Sequence, residues 1–431
     1  MRIEGAEELA RRLARLTHLI RDAIVAAFQT GNASELLTGW RSVFAQTLLP
    51  ELAENGKEAE FADMFAQTLA YGLFSARALT SVSTRFSPAE AAKLIPKTNP
   101  FLRDFFDLIT GPKLDDEPFV GYVQDVVTLL DCADMGAILE DFGKGIGAGR
   151  RHDLVVHFYE TFLSAYDPKL RELRGVYYTP ESVVSYIVES IDWLLREKFG
   201  LKDGLADKTK IAVKLKEGAE VIEEESHRVL ILDPATGTGT FLFEVVEQIR
   251  ERFERKHQAG LWPAYVHDHL LPRLFGFELL MAPYAVAHFK LGLELSVRHL
   301  PELWRANWAY QFRPNERLNI YLTNTLEDIE KVAQQLGLLS IISREANEAS
   351  TVKKHRPVLV VLGNPPYSNF GRQNRNDFIL GLLDDYKRSL KEKKLNLDDD
   401  FIKFLRWAHD RIERPARVSS ASSPTTSIST A

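Results

Sequence analysis

The chain has 431 residues, 45% of them hydrophobic and 26% charged, the balance of an ordinary globular protein with room for more than one domain. Its formal net charge of −6 supplies no overall basic field to announce a nucleic-acid partner, although a local basic groove is compatible with it. The single cysteine, Cys132, excludes a disulfide framework and a cysteine-based metal site. Met1-Arg2-Ile3-Glu4-Gly5 lacks the apolar core of a signal peptide, and no apolar run reaches membrane-spanning length. A soluble, cytoplasmic protein without membrane contact is expected.

Residues 1–170 read as helical. Leu9, Leu13, Leu16, Ile20 and Ile24 recur at spacings of three and four, which makes one apolar face. Arg11, Arg12, Arg15 and Arg21 fall on the other faces and read first as a solvated surface. The stretches Glu58 to Leu73 and Val120 to Leu139 are also helix-like.

The character changes after Arg174. Four short apolar runs appear, each ending in polar or glycine-rich residues, with helix-like segments between them. They are Val229 to Leu232 ending at Asp233, Leu274 to Phe277 ending at Glu278, Leu318 to Leu322 ending near Asn324, and Val358 to Leu362 ending at Asn364. Such alternation predicts an α/β fold with a parallel sheet and helices on both faces. Ligands bind such sheets at the carboxyl ends of the strands, where all four polar clusters lie. Lys208 to Glu225 is charged and reads as an exposed insertion. From Ser419 onward the chain is almost only Ser, Thr, Ala and Pro, a disordered tail by composition.

The loop Asp233-Pro234-Ala235-Thr236-Gly237-Thr238-Gly239-Thr240-Phe241 follows an apolar run and opens a helix. Its glycines let backbone approach a ligand closely, and the helix start presents unpaired N–H groups. Leu242 occupies the position of a third glycine, which weakens a nicotinamide reading, and no Lys-Ser/Thr pair follows to make a phosphate-binding loop. Glu278 can accept hydrogen bonds from both ribose hydroxyls of a nucleoside; a surface glutamate at a strand end is the plain alternative. Asn324-Thr325-Leu326 offers an amide to a base edge and an apolar wall to its face, or simply a helix cap at Thr325. In Asn364-Pro365-Pro366-Tyr367 the prolines stiffen the turn and remove two N–H donors. The Asn364 and Pro365 carbonyls then make a site of acceptors, suited to a planar NH2 group, and Tyr367 adds a face on which a flipped-out base can stack. Thr179 fits the cap of a helix through Val184, Ile187, Val188 and Ile191, with Pro180 in its first turn. His267-Asp268-His269 has the wrong spacing for a metal on one helix face, and no metal site is expected.

Together these residues resemble the γ-class N6-adenine DNA methyltransferases, particularly the large ones in single-chain restriction–modification proteins. Tyr177 to Pro180, Asp233 to Phe241, Glu278 and Asn364 to Tyr367 follow in the family's order, and the likeness runs from about Gly175 to Arg411. It implies a Rossmann-like S-adenosylmethionine methyltransferase sheet over residues 171–415, incomplete at its C-terminal side. An all-α domain over 1–170 precedes it, and the tail over 416–431 follows. It further implies that Thr179 and the loop from Asp233 through Ala235, Gly237 and Gly239 to Phe241 hold the methionine part of S-adenosylmethionine. Glu278 would bind the ribose, with Asn324 and Leu326 near the adenine. Asn364, Pro365, Pro366 and Tyr367 would form the catalytic box, and Arg372 and Arg375 would meet double-stranded DNA from which adenine is flipped out. Asp398 to Leu405 still resembles the family. After Ile412 the likeness stops, where family members continue with further strands and a target-recognition domain. The chain therefore reads as truncated or frame-shifted near Pro415, with a recognition or nuclease part elsewhere. The same box occurs in enzymes that methylate a protein glutamine or an RNA amino group, and a non-catalytic binding or assembly piece also stays open. The long helical N-terminal region and the Tyr-Thr-Pro segment favour the DNA enzyme.

Overall fold

The computed structural model describes residues 3–78, 86, 98–109, 114–138, 154–167, 179–217, 220–296, 306–314, 316–328, 338–366, 374–388, 396–418 and 428–430. Its N-terminal part is built from α1 (Ala6–Gln29), α2 (Glu35–Thr47), α3 (Glu58–Ala78), α4 (Pro100–Ile109), α5 (Val120–Asp131) and α6 (Leu154–Tyr166). The apolar face expected of α1 is the buried one: Leu9, Leu13, Ile20 and Ile24 are inside, with Ala10, Ala14 and Thr17 between them. Arg11 and Arg12 instead pair one turn back with Glu7 and Glu8, as on a solvated helix surface. Helix α3 is buried continuously from Phe61 to Arg77, which makes it the centre of the helical layer.

Helix α7 (Glu181–Glu197) leads into a two-stranded antiparallel hairpin, β1 (Lys210–Glu217) and β2 (Glu220–His227). This hairpin is the charged insertion, and residues 210–212 and 223–225 are exposed. The main sheet follows: β3 (Ile231–Asp233), α8 (Thr240–Arg255), β4 (Leu274–Glu278), α9 (Met281–Ser296), β5 (Asn319–Leu322), α10 (Leu338–His355), β6 (Val360–Leu362), α11 (Asp377–Lys387), α12 (Asp400–Val418) and β7 (Ile428–Thr430). Its order is β5-β4-β3-β6-β7 and every pairing is parallel. The four apolar runs of the sequence thus become β3, β4, β5 and β6.

Both faces of this sheet are buried, so the strand period of two sorts residues between two cores. Ile231, Leu274, Ile320, Leu322, Val360 and Leu362 point into a large core shared with α8, α9 and the N-terminal helices. Leu232, Phe275, Phe277, Tyr321 and Val361 point into a second core with Ile379 of α11 and Trp407 of α12. The N-terminal helices and the sheet meet through α9, where Phe74 lies edge-on to Phe289 and the Tyr284 hydroxyl donates to Asn99 Oδ1 at 3.1 Å. Between strand and helix, buried Glu345 on α10 accepts from Arg317 at 2.7 Å and from the backbone N–H of Leu322 at 3.2 Å, which pins the end of β5.

One expectation is corrected here. Of the segment from residue 416 that reads as a disordered tail, residues 416–418 belong to α12 and Ile428–Thr430 pairs with β6, while 419–427 lie outside the described residues. Composition misses this because an added edge strand is held by main-chain hydrogen bonds, which are indifferent to side-chain type.

The chain leaves β3 toward β4 and β5 on one side and returns to β6 on the other. That reversal creates a switch point between the carboxyl ends of β3 and β6. Because Leu232 is fully buried in the central strand, Leu232→Ala should lower unfolding free energy by roughly 2–5 kcal/mol. Tyr186→Ala, at a side chain 71% exposed, should change it by under about 0.5 kcal/mol. Denaturant midpoints of the two variants check both values.

Candidate cofactor and catalytic site

The glycine loop is bound down on three sides. The Ala235 N–H donates to Asp233 Oδ1 at 3.0 Å, the Thr236 N–H to the Phe277 carbonyl at 2.9 Å, and the Thr325 hydroxyl to the Pro234 carbonyl. These bonds tie the loop to the ends of β3, β4 and β5. Gly239 then starts α8 with φ 81°, in the left-handed region that favours glycine, and no side chain caps the helix. The first N–H groups of α8 are left to a ligand or solvent. A side chain added at Gly237 would meet nothing within 4 Å, so the loop faces open space there.

Glu278 is 9% exposed at the end of β4. Its Oε2 accepts from the Gly237 N–H at 2.7 Å and its Oε1 from the Leu280 N–H at 2.8 Å. Burial raises its pKa and those backbone donors oppose the rise. Each carboxylate oxygen carries two lone pairs, so these bonds do not exhaust its capacity for ribose hydroxyls.

Asp233 is completely buried, and its Oδ2 has no hydrogen-bond partner among the described residues. Burial pushes its carboxyl up to about 8, with Glu278 adding to the rise and the Ala235 N–H opposing it. The end of β6 presses on the same group: a Cβ at Gly363 would lie 2.6 Å from Asp233 Oδ1. Only glycine leaves room for the two strand ends to approach so closely.

This contact delivers Asn364 and Pro365 beside the loop. Pro365 is buried and Asn364 is half-buried. Asn364 Nδ2 donates to Thr179 Oγ1 at 3.0 Å, across 185 residues of chain. The bond orients the amide, turning its carbonyl oxygen away from Thr179. Thr179 therefore does not cap α7 as its sequence suggests. Pro180 is the N-cap residue, with φ −53° and ψ 134°, and no side chain caps the helix.

Asn324 ends β5 and is 8% exposed. Its Oδ1 accepts from the Leu326 N–H at 3.1 Å, and its Nδ2 donates to Asn374 Oδ1 at 2.8 Å. Leu326 is fully buried in the second core, so its side chain lies beneath the strand ends. Phe241 is 4% exposed and likewise packs inward, leaving its backbone at the helix start. Arg375 is exposed, while Tyr367 and Arg372 lie outside the described residues.

Sequence reading misses one group here. Lys353, buried on α10, donates to Thr323 Oγ1 at 3.0 Å, to the Asn324 carbonyl at 2.6 Å and to the Glu327 carbonyl at 3.1 Å. Burial lowers its pKa to about 7. It holds the turn after β5 from below, and nothing local in Val352-Lys353-Lys354 signals that role.

The chain resembles the N6-adenine DNA methyltransferases of restriction–modification systems. Residues 150–294 match the family described as N-6 DNA Methylase, a span that includes the glycine loop and Glu278 and ends before Asn324 and the Asn-Pro-Pro-Tyr box. No curated protein matches significantly. Among solved structures, the chain is similar to the ATP-dependent Type ISP restriction-modification enzyme LlaBIII bound to DNA, with 20% identity and a TM-score of 0.61, over 94% of this chain and 24% of that one. It is similar to DrdV in its DNA complex at 22% identity and TM-score 0.57, over 95% and 34%. It is also similar to a nuclease-deletion mutant of the Type ISP enzyme LlaGI with a DNA substrate mimic, at 18% and 0.57, over 94% and 28%. These likenesses establish a shared mixed α/β fold, and the chain spans about a quarter to a third of those proteins' lengths. Among the described residues, no helix is long and apolar enough to cross a membrane.

The raised pKa of Asp233 has a thermodynamic consequence. The folded state retains a proton that the unfolded chain releases at lower pH, so stability falls as pH rises and levels off above the folded value, about 8. Asp233→Asn removes this dependence. Between about pH 5 and about pH 7.5, wild-type melting temperature should fall more steeply than that of Asp233→Asn; parallel curves would contradict the assignment.

Proposed function

We propose that this chain binds S-adenosylmethionine across the carboxyl ends of β3, β4 and β5 and methylates N6 of adenine in DNA, as the modification part of a restriction–modification protein. The observation that carries the reading is the junction at the switch point, where the Asn364-Pro365 turn sits on Asp233 and is held by Thr179. The sheet supports it. Counted from β3, the order β5-β4-β3-β6-β7 is 3-2-1-4-5, the order of Rossmann-like nucleotide-binding folds.

The residues fit the cofactor. The uncapped start of α8 and the loop backbone suit its carboxylate. The loop backbone from Asp233 to Gly239 suits its methionine part, Glu278 the ribose and Asn324 the adenine edge. When bound, S-adenosylmethionine supplies an electrophilic methyl group on a sulfonium. The chain's own work is on the acceptor amine. An exocyclic amine conjugated to a purine ring is a poor nucleophile. The Asn364 carbonyl oxygen and the Pro365 carbonyl accept its two hydrogens and return electron density to nitrogen. Tyr367 stacks on the flipped base, and Arg372 and Arg375 contact the DNA backbone. No strong general base is required, since the proton can leave after methyl transfer. Positioning is the main source of acceleration.

Incubation with methyl-labelled S-adenosylmethionine and unmethylated DNA, followed by digestion to nucleosides, should place label on N6-methyl-2′-deoxyadenosine. Asn364→Ala should lower the rate by at least about a hundredfold, the scale of losing one preorganised polar partner, while cofactor affinity stays within about threefold. Label in protein glutamine or RNA, and none in DNA, would move the substrate assignment.

A further inference from the structure

The amide of Asn324 is polarised by a chain of buried groups that leads away from the site. Its Nδ2 donates to Asn374 Oδ1 at 2.8 Å. Asn374 Nδ2 in turn donates to Asp400 Oδ2 at 2.6 Å, and the Asn374 N–H donates to Asp400 Oδ1 at 3.0 Å. Lys403 completes the chain, with Nζ 2.8 Å from Asp400 Oδ1 and 2.6 Å from the Asn374 carbonyl. Asp400 is 5% exposed and Lys403 1%.

The chemistry runs in one direction. An asparagine amide is nearly symmetric in shape, and turning it over exchanges donor for acceptor. A salt-bridged carboxylate is acceptor-only, so the Asn374 side that faces Asp400 must be its NH2 group. Asn374 therefore presents its oxygen to Asn324, and the Asn324 side that faces Asn374 must be NH2 as well. The Leu326 N–H, which needs an acceptor, fixes the same orientation from the opposite side. Asn324 cannot turn over without setting like groups against each other in a buried place.

We propose that the relay Lys403–Asp400–Asn374 locks the Asn324 amide so that its oxygen selects a 6-amino purine over a 6-oxo purine in the cofactor site. This rests on the cofactor reading above, in which Asn324 meets the adenine edge. Asp400, Lys403 and Asn374 are then positioning residues for specificity. A second lone pair on Asn324 Oδ1 accepts from the 6-amino group, whereas a 6-oxo group would face that oxygen with lone pairs of its own. Without Asn374 only the Leu326 N–H opposes turning over of the amide, and the turned amide would accommodate a 6-oxo group.

The test compares binding of S-adenosylhomocysteine and S-inosylhomocysteine by calorimetry, with far-UV circular dichroism and melting temperature as fold controls. The wild type should prefer the adenosyl compound by at least about tenfold, the size of one buried polar mismatch. Asn374→Ala should bring that preference below about threefold. The double variant Asn374→Asp/Asp400→Asn reverses donor and acceptor between the two positions while leaving an acceptor toward Asn324, and should restore the preference. A role in stability alone would shift melting temperature and leave the ratio unchanged. Folded Asn374→Ala that keeps the preference, while Asn324→Ala loses it, would overturn the relay and leave the cofactor reading standing. So would a double variant that folds without recovering the preference. Equal wild-type affinity for the two compounds would overturn the selectivity. Wild-type binding of neither would overturn the cofactor reading and the relay with it.

Discussion

The ends of β3 and β6 meet at Asp233 and Gly363, and that contact brings the Asn364 turn beside the glycine loop. A side chain at position 363 would collide with the Asp233 carboxyl at 2.6 Å. With glycine there, the turn of Asn364 and Pro365 lies against the loop that opens α8. The contact confines Asp233 where water does not reach and where one of its oxygens has no partner among the described residues. A buried carboxyl left half-satisfied is costly to ionise, which is why its proton is retained to a pH near 8. The need for glycine at position 363 and the raised pKa of Asp233 thus both follow from close packing of two parallel strands.

Around that junction the fold uses buried charge to hold backbone. Glu345 takes the Leu322 N–H and Lys353 the Asn324 carbonyl, so the end of β5 is gripped by its donors and its acceptors, from α10 in both cases. Glu278 does the same for the glycine loop and the start of α9. Such groups contribute little to net stability, because desolvation offsets much of their attraction. Their effect is geometric: removing one leaves a backbone group unsatisfied and the loop it held unspecified.

Much of this was legible in sequence, and the reasons differ by element. The runs Val229 to Leu232 and Val358 to Leu362 read as strands because both sheet faces are buried, which makes each run continuously apolar. Their polar ends marked the site for the same topological reason. The hairpin of Lys210–Glu217 and Glu220–His227 did not read as strand, because its sequence is dominated by charged residues. Thr179 shows what sequence leaves out: a threonine before a proline and a helix suggests a cap, and only tertiary structure brings Asn364 to its hydroxyl. Leu326 shows the same limit: its burial in the second core follows from α10 and α12 packing over it. The segment Asp398 to Leu405 resembled the family without suggesting a task, since its partner Asn374 lies 26 residues away.

Two asparagines at the site share a physical logic. Asn364 ties its nitrogen to Thr179 Oγ1, and Asn324 ties its nitrogen to Asn374 Oδ1. An amide whose nitrogen is committed on one side acts on the other side as an acceptor. In the proposed reaction both would meet an exocyclic amine, one on the target base and one on the cofactor's adenine. A carboxylate could accept from either amine. At the target, however, it would bind the proton that the methylated nitrogen must release. At the adenine edge it would stand near Asp233 and Glu278, whose carboxyls burial already holds above their ordinary values. A neutral amide accepts without either penalty, but only if its orientation is fixed. In that reading Thr179 and Asn374, distant in sequence from the residues they orient, are what would fix the two amides.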